Sequence, residues 1–177
     1  MFASSRPKNF GVYKKYADDE LEELLAHYEH DLTEAAEKVN AEHLTRIAQA
    51  LYILKSGDYE NIWWRIERRT NELAEKKQLD HYHVTNILRA FSRSQKNRMS
   101  GQSKTYYNLE PIILANLDSI PDRDLTHLMY SYGVRSVGNP ELHAAFETKL
   151  AEIADRLDYP SLFNAVYYLL FKENANP

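Results

Sequence analysis

From residue 18 onward, apolar residues recur every three to four positions along most of this chain. The stretch DLTHLMYSYG at 124–133 is typical, because Leu125, Leu128, Met129 and Tyr132 fall on one side of a helix with 3.6 residues per turn. The same spacing predicts about eight helices and no strand. The first predicted helix covers 18–39 and begins with acidic residues, which the dipole of a helix favours at that end.

This apolar stripe occurs four times at nearly constant intervals. It starts at Leu44, Val84, Leu125 and Leu162, so successive starts are 40, 41 and 37 residues apart. One further helix is predicted within each interval. A unit of helix, turn and helix at near-constant period is typical of an α-solenoid. We therefore predict an all-α fold, a short α-solenoid of about three and a half helix-turn-helix repeats with a capping N-terminal helix.

This interpretation divides the chain into a basic arm at 1–17, one helical repeat domain at 18–172 and a tail at 173–177. The last repeat holds only its first helix, so we expect a partner to cover the apolar face of LFNAVYYLLF at 162–171. That run is shorter than the roughly 20 residues that span a bilayer, and we expect no transmembrane segment. Pro111 is expected in the first turn of its helix, where a missing N–H costs little.

Composition supports helices and removes several kinds of chemistry. Among 177 residues, 44% are hydrophobic while Gly numbers only 5 and Pro 6, fewer turn residues than strands usually need. The absence of cysteine excludes disulfides, thiolate catalysis and cysteine-ligated zinc. The mean hydropathy of -0.61 indicates well-solvated outer faces. The net charge of -4 argues against a protein devoted to binding nucleic acid.

One set of residues carries a resemblance to a known family: Leu125, Leu128, Tyr132, Gly133, Pro140, Leu142, Phe146, Leu150, Ile153 and Leu157. Through them, 120–172 resembles the octotricopeptide and heptatricopeptide helical repeats of organellar proteins, found beside RAP domains and in FAST-kinase-like proteins; 43–119 matches loosely. The chain departs from that family in its few repeats, its long 92–105 loop and the lack of a RAP-like domain. The resemblance implies either RNA binding in an organelle or a non-enzymatic accessory role in a mitochondrial assembly.

Several aromatic side chains are predicted to contact other proteins. Trp63 and Trp64 are adjacent in sequence and so point to different faces of one helix, which leaves one of them for an interface. The other interface candidates lie in the arm and the last helix, at Phe10, Tyr13, Tyr167 and Phe171.

A basic segment provides a second kind of contact. No acid occurs from His81 to Leu109, whereas Arg89, Arg93, Lys96, Arg98 and Lys104 do. These side chains could contact the phosphates of RNA or of anionic lipid head groups, an acidic neighbouring subunit, or solvent alone within a polar loop at 92–105.

We predict no catalytic, cofactor-binding or metal-binding residue and no cofactor. The pair His81 and His83 points about 200° apart on a helix, and His27 with His30 lacks a third ligand. The pairs Asp18–Asp19 and Glu22–Glu23 suit a helix start. No phosphate-binding, dinucleotide-binding or nucleophile-elbow motif occurs.

The sequence thus favours a structural or scaffold subunit of a larger mitochondrial assembly, of respiratory-chain or ATP-synthase type, acting on the matrix side through contacts with other protein subunits. A cytoplasmic location is the alternative compartment. An organellar RNA-binding repeat protein, or a mitoribosome-associated subunit, is the alternative function.

Overall fold

Seven α-helices and two short 3₁₀ turns make up the residues that the structure, a computed structural model, describes: 38–53, 60–93 and 102–172. The helices are α1 (Ala41–Ile53), α2 (Glu60–Glu75), α3 (His81–Arg93), α4 (Gln102–Asn116), α5 (Asp122–Arg135), α6 (Pro140–Ile153) and α7 (Tyr159–Phe171). The 3₁₀ turns Leu117–Ser119 and Ala154–Arg156 follow α4 and α6. The predicted all-α class is confirmed for these ranges, whereas the arm, the tail and most of the predicted capping helix lie outside them.

The helices form two rows. The first helices of the predicted units pack side by side in chain order, α1 on α3, α3 on α5 and α5 on α7. The second helices form a parallel series in which α2 contacts α4 and α4 contacts α6. The residues that begin the four apolar stripes therefore lie on neighbouring helices.

The first three apolar stripes fill the space between the two rows, whereas most of the fourth, on α7, is exposed. Leu44, Val84 and Leu125 are completely buried, as the helical period predicts. An aromatic series continues this core toward the end of the chain, because the ring of Tyr132 meets the rings of Tyr106 and Phe146 at centroid distances of 5.0 and 5.8 Å. The Tyr132 hydroxyl donates a 2.9 Å hydrogen bond to the Tyr106 carbonyl, so its buried polar atom is satisfied.

Hydrogen bonds between neighbouring units follow the same period as the stripes. Gln49 Nε2 donates to Asn86 Oδ1 at 2.8 Å, between residues 37 apart in sequence. The Thr105 hydroxyl donates to Glu67 Oε1 at 3.0 Å, across 38 residues. Polar contacts thus join successive helices within each row, beside the apolar core.

Two sequence expectations are wrong in detail. Pro111 lies in the interior of α4 rather than in its first turn, because α4 begins at Gln102, well within the predicted 92–105 loop. The helix starts early because Thr105 and Tyr106 are buried against neighbouring helices. Pro111 leaves the carbonyl four residues earlier, on Tyr107, without its helical N–H. Both residues lie on the exposed side of α4.

Candidate functional site

A groove runs across the first helices of the units, on the side away from the second row. It contains a cavity of about 510 Å³, and an adjoining cavity of about 310 Å³ shares Tyr52 and Arg89 with it. The larger cavity is lined by Tyr52, Arg89, Ser92, His127, Tyr130, Val134, Phe163, Asn164 and Tyr167. All four first helices therefore contribute to one surface, which we call the groove.

The groove uses equivalent positions of the repeated stripe. Five residues after the start of each stripe come Gln49, Arg89, Tyr130 and Tyr167, and all four line the two cavities. Two residues after the start come Asn86, His127 and Asn164, which line them as well. The repeat thus presents a row of aromatic, amide and basic side chains in register.

Arg89 is the groove's positive charge. Its guanidinium lies 5.0 Å from the centre of the Tyr52 ring, a cation–π contact. Its Nε atom is buried and has no hydrogen-bond partner. Within 38–53, 60–93 and 102–172, no carboxylate forms an ion pair with Arg89, in keeping with the acid-free sequence around it. Arg89 therefore brings an uncompensated positive charge to the groove.

His127 lies next to this charge and stays neutral at physiological pH. Burial lowers its pKa to about 4, with further lowering by the nearby charges of Arg89 and Arg123, partly opposed by Asp158. Asn164 Nδ2 donates to His127 Nδ1 at 3.1 Å, which places the ring proton on Nε2. The groove thus contains a neutral imidazole with one N–H donor.

Aromatic rings form one rim of the groove. The rings of Tyr130 and Tyr167 are 4.8 Å apart, and Tyr167 stacks on Phe171 at 4.3 Å. Phe163 lies 6.3 Å from Tyr167 and is 57% exposed. These rings could stack on planar groups of a ligand.

A second surface lies at the end of the helix rows, on α7. It consists of seven exposed apolar side chains, hereafter the α7 end face: Tyr159, Leu162, Phe163, Val166, Leu169, Leu170 and Phe171. At the equivalent positions of α5, Leu125, Met129 and Tyr132 are completely buried. Positions that are buried in α5 are thus exposed in α7.

The predicted interface residues fall in different places. Trp63 is buried and Trp64 is 47% exposed, so the two do point to different faces, as their adjacency predicted. The guanidinium groups of Arg65 and Arg68 lie 5.1 and 5.3 Å from the Trp64 ring. Tyr167 and Phe171 lie on the groove rim, and Phe171 also belongs to the α7 end face. Phe10 and Tyr13 lie outside the described residues.

The predicted basic segment is only partly described. Arg89 lines the groove, Arg93 is the last residue of α3, and Lys104 is exposed on α4. Lys96 and Arg98 lie outside the described residues. Sequence reasoning missed Tyr52, His127, Tyr130 and Asn164, although the position five residues after each stripe start would have pointed to Tyr130.

Histidine and acidic side chains were also predicted not to form a metal site. In the part of the chain that the structure describes, no group of three or more histidine or acidic side chains could hold a metal ion. His83 Nδ1 lies 2.7 Å from Asp80 Oδ1 at the start of α3, so it serves the helix terminus. His27 and His30 lie outside the described residues.

None of the helices described is both long enough and apolar enough to cross a membrane. Comparison of the chain with protein-family models and with curated proteins finds no match.

Proposed function

We propose that this protein is a non-enzymatic structural subunit of a larger protein assembly, and that it acts through protein–protein contacts. The α7 end face is the observation that carries the proposal, because seven neighbouring large apolar side chains are uncovered at one end of the helix rows. Contiguous exposed apolar surface of this kind marks an interaction site in soluble proteins.

The architecture that goes with this role is a short α-solenoid of about three and a half repeats. Ordered packing of α1, α3, α5 and α7, together with cross-unit hydrogen bonds between residues 37 and 38 apart, supports it. In such a fold each unit contacts only its neighbours, so an end unit carries an apolar surface that another molecule can continue.

The mitochondrial matrix is the compartment we propose, and an assembly of respiratory-chain or ATP-synthase type is the setting. The resemblance of 120–172 to organellar helical repeats supports the compartment, as does the acid-free arm at 1–17 with its four basic residues. Fluorescence microscopy of the tagged full chain tests this, and a purely cytosolic signal would contradict it.

Native electrophoresis of cell extracts, probed for this chain, tests the assembly role. We expect the chain to migrate far above its 20.7 kDa mass. Leu170→Glu, which places a charge on the α7 end face, should release it, whereas Tyr82→Glu on exposed α3 surface should not. Migration of the unmodified chain only as a free species would overturn the proposal.

RNA binding is the second candidate function, and the groove is the observation that favours it. Arg89 offers an uncompensated charge beside the rings of Tyr130 and Tyr167, which lie 4.8 Å apart and are tilted by 51°. Proteins that bind single-stranded nucleic acid combine such a charge with aromatic platforms. The acid-free stretch from His81 to Leu109 adds positive charge along the chain next to Arg89.

Binding of a fluorescent single-stranded RNA oligonucleotide across a salt series tests this candidate. If RNA occupies the groove, affinity falls steeply with salt. Arg89→Gln should weaken it, as should combined neutralisation of Arg93, Lys96 and Arg98. Lys76→Gln, after the end of α2, is the matched control. Binding that Lys76→Gln reduces as much as Arg89→Gln does would indicate nonspecific charge attraction.

A further inference from the structure

We infer that the α7 end face packs against the same face of a second copy of this chain, around a two-fold axis at Val166. The inference rests on the contact role proposed for α7 and names the partner at that surface. Four features of α7 lead to it: the spacing of its apolar residues, the placement of its charges, the exposed area and its position in the rows.

The exposed apolar residues are spaced symmetrically about Val166. Leu162 and Leu170 lie four residues before and after it, while Phe163 and Leu169 lie three before and after. All five are exposed, by 41% to 66%. In an antiparallel pair of α7 helices related by a two-fold axis, Val166 meets itself, Leu162 meets Leu170 and Phe163 meets Leu169. Each contact then joins two large apolar side chains.

Charges around α7 fit the same antiparallel arrangement. No charged residue occurs from Tyr159 through Phe171, so two copies of this face bring no like charges together. Asp158 stands at the N-terminus of α7 and Lys172 at its C-terminus. Asp158 is exposed, and Lys172 is paired with Glu147. Antiparallel pairing sets the acidic end of one α7 beside the basic end of the other, and it opposes the two helix dipoles.

The exposed area suits a stable dimer. A half-exposed large side chain offers roughly 100 Å², so the seven residues of the α7 end face present on the order of 700 Å² per copy. A standard protein interface buries about 800 Å² per partner. Adjoining parts of α6 and the α7 termini supply the remainder.

The position of α7 in the rows explains why an antiparallel helix fits. The helices α1, α3 and α5 are each followed by a second helix, and α2 packs on α1 as α4 packs on α3. Among the described residues no such helix follows α7. The α7 helix of a second copy, running antiparallel, covers positions whose equivalents in α5 are buried within the helix rows.

The oligomeric state of the purified full chain is the first test. Light scattering coupled to size-exclusion chromatography should give twice the 20.7 kDa chain mass. Val166→Glu should raise the dimer dissociation constant more than about tenfold, with unchanged helical circular dichroism. Tyr82→Glu should leave the dimer intact. A monomer at every concentration would overturn the inference.

Engineered cysteines test the symmetry axis itself, since the chain has no cysteine of its own. A residue on a two-fold axis meets its own copy, so Val166→Cys should form a disulfide-linked dimer under mild oxidation. Leu162→Cys mixed with Leu170→Cys should cross-link more than either alone, and Tyr82→Cys should not. A dimer that forms without the Val166→Cys cross-link would place the interface elsewhere and refute the axis.

The two proposals fail in different ways. If the purified chain is monomeric while Leu170→Glu still releases it from a large assembly in extracts, another protein occupies the α7 end face. The structural role then stands and the dimer does not. If Leu170→Glu has no effect in extracts but dissociates a purified dimer, the dimer stands and the proposed assembly role fails.

Discussion

Gly133 in α5 lies directly against the backbone of Tyr168 in α7. A Cβ atom added to Gly133 would stand 3.0 Å from the Tyr168 Cα. Glycine inside a helix costs roughly 0.5–1 kcal/mol relative to alanine. The absence of a side chain at Gly133 therefore allows α5 and α7 to approach closely, which accounts for a glycine inside a helix.

Gly133→Ala should destabilise the protein even though alanine is the better helix former. The added methyl group forces α5 and α7 apart, which we expect to cost about 1–3 kcal/mol of the free energy of unfolding. Urea denaturation measures the change. An increase in stability of up to about 1 kcal/mol, the usual result for this exchange in an open helix, would show that the helices are not in backbone contact.

Phe146→Ala should remove about 3–5 kcal/mol of the free energy of unfolding. The Phe146 side chain is completely buried, and its ring meets those of Tyr132 and Tyr168, each at 5.8 Å. Urea denaturation followed by circular dichroism gives the value. Tyr82→Ala, at a 48% exposed ring, is the control and should cost far less. A loss below about 1 kcal/mol for Phe146→Ala would contradict the packing of α6 on α5 and α7.

Thr105→Val tests the polar contact between α2 and α4. The Thr105 hydroxyl donates to Glu67 and accepts from Asn71 Nδ2 at 2.8 Å, all within a buried or half-buried region. Valine keeps the shape but removes the hydrogen bond to the buried Glu67 carboxylate, and it leaves Asn71 Nδ2 with only its 3.1 Å bond to the Glu67 carbonyl. The loss should cost about 1–3 kcal/mol. Burial already raises the pKa of Glu67, and loss of the Thr105 hydrogen bond should raise that pKa further.

Thr148→Val is the matched control for this substitution. Thr148 is exposed on α6, and its hydroxyl donates only to the Ala144 carbonyl. The same chemical change there should alter stability by less than about 0.5 kcal/mol. Equal effects at the two sites would mean that intrinsic helix preference, rather than the contact between helices, accounts for the result.

Acidification should destabilise the protein through His127. The pKa of His127 is about 4 in the fold, against 6.5 for the unperturbed side chain. Between these values the unfolded chain binds a proton that the folded chain does not, so stability falls as the pH drops from 6.5 toward 4. Because His127 is partly exposed, we expect this group to contribute about 1–3 kcal/mol of the loss. The effect fades as the pH rises through 6.5 and is essentially absent about one pH unit above it.

Comparison of urea denaturation at pH 7 and pH 5 for the unmodified chain and for His127→Gln isolates this contribution. The substitution should flatten the pH dependence, since glutamine has no proton to gain. Burial and the nearby Lys172 also lower the pKa of His143, so His143→Gln is the companion variant. Unchanged pH dependence in His127→Gln would mean that His127 titrates normally in the fold.

The periodicity of the sequence predicted where the first helices lie and, for α1, α3 and α5, which of their residues are buried. Leu44, Val84 and Leu125 were identified because helical spacing ties burial directly to position in sequence. The start of α7 follows a local rule as well, because the Asp158 side chain accepts a hydrogen bond from the Ser161 backbone N–H and caps the helix.

The groove could not be predicted from individual residues of the sequence. Arg89 stood out by its charge and Tyr167 by its aromatic ring, yet only packing of α3, α5 and α7 brings both to one cavity. His127 and Asn164 carry no signal alone, and they matter because helices 37 residues apart in sequence place them 3.1 Å from each other. Pro111 in the interior of α4 has a similar origin, since burial of neighbouring residues outweighs the preference of proline for a helix start.

Packing of α7 on one side only has a consequence for how the protein comes apart. Among the described helices, α3 and α5 each lie between two first helices, whereas α7 has α5 alone beside it in its row. In an isolated copy, amide protons of α7 should exchange with deuterium faster than those of α3. Under mechanical force, α7 should detach and unfold before α3 and α5. A partner bound to the α7 end face would slow that exchange. The exchange rate of α7 amides therefore reports whether the protein is free or bound.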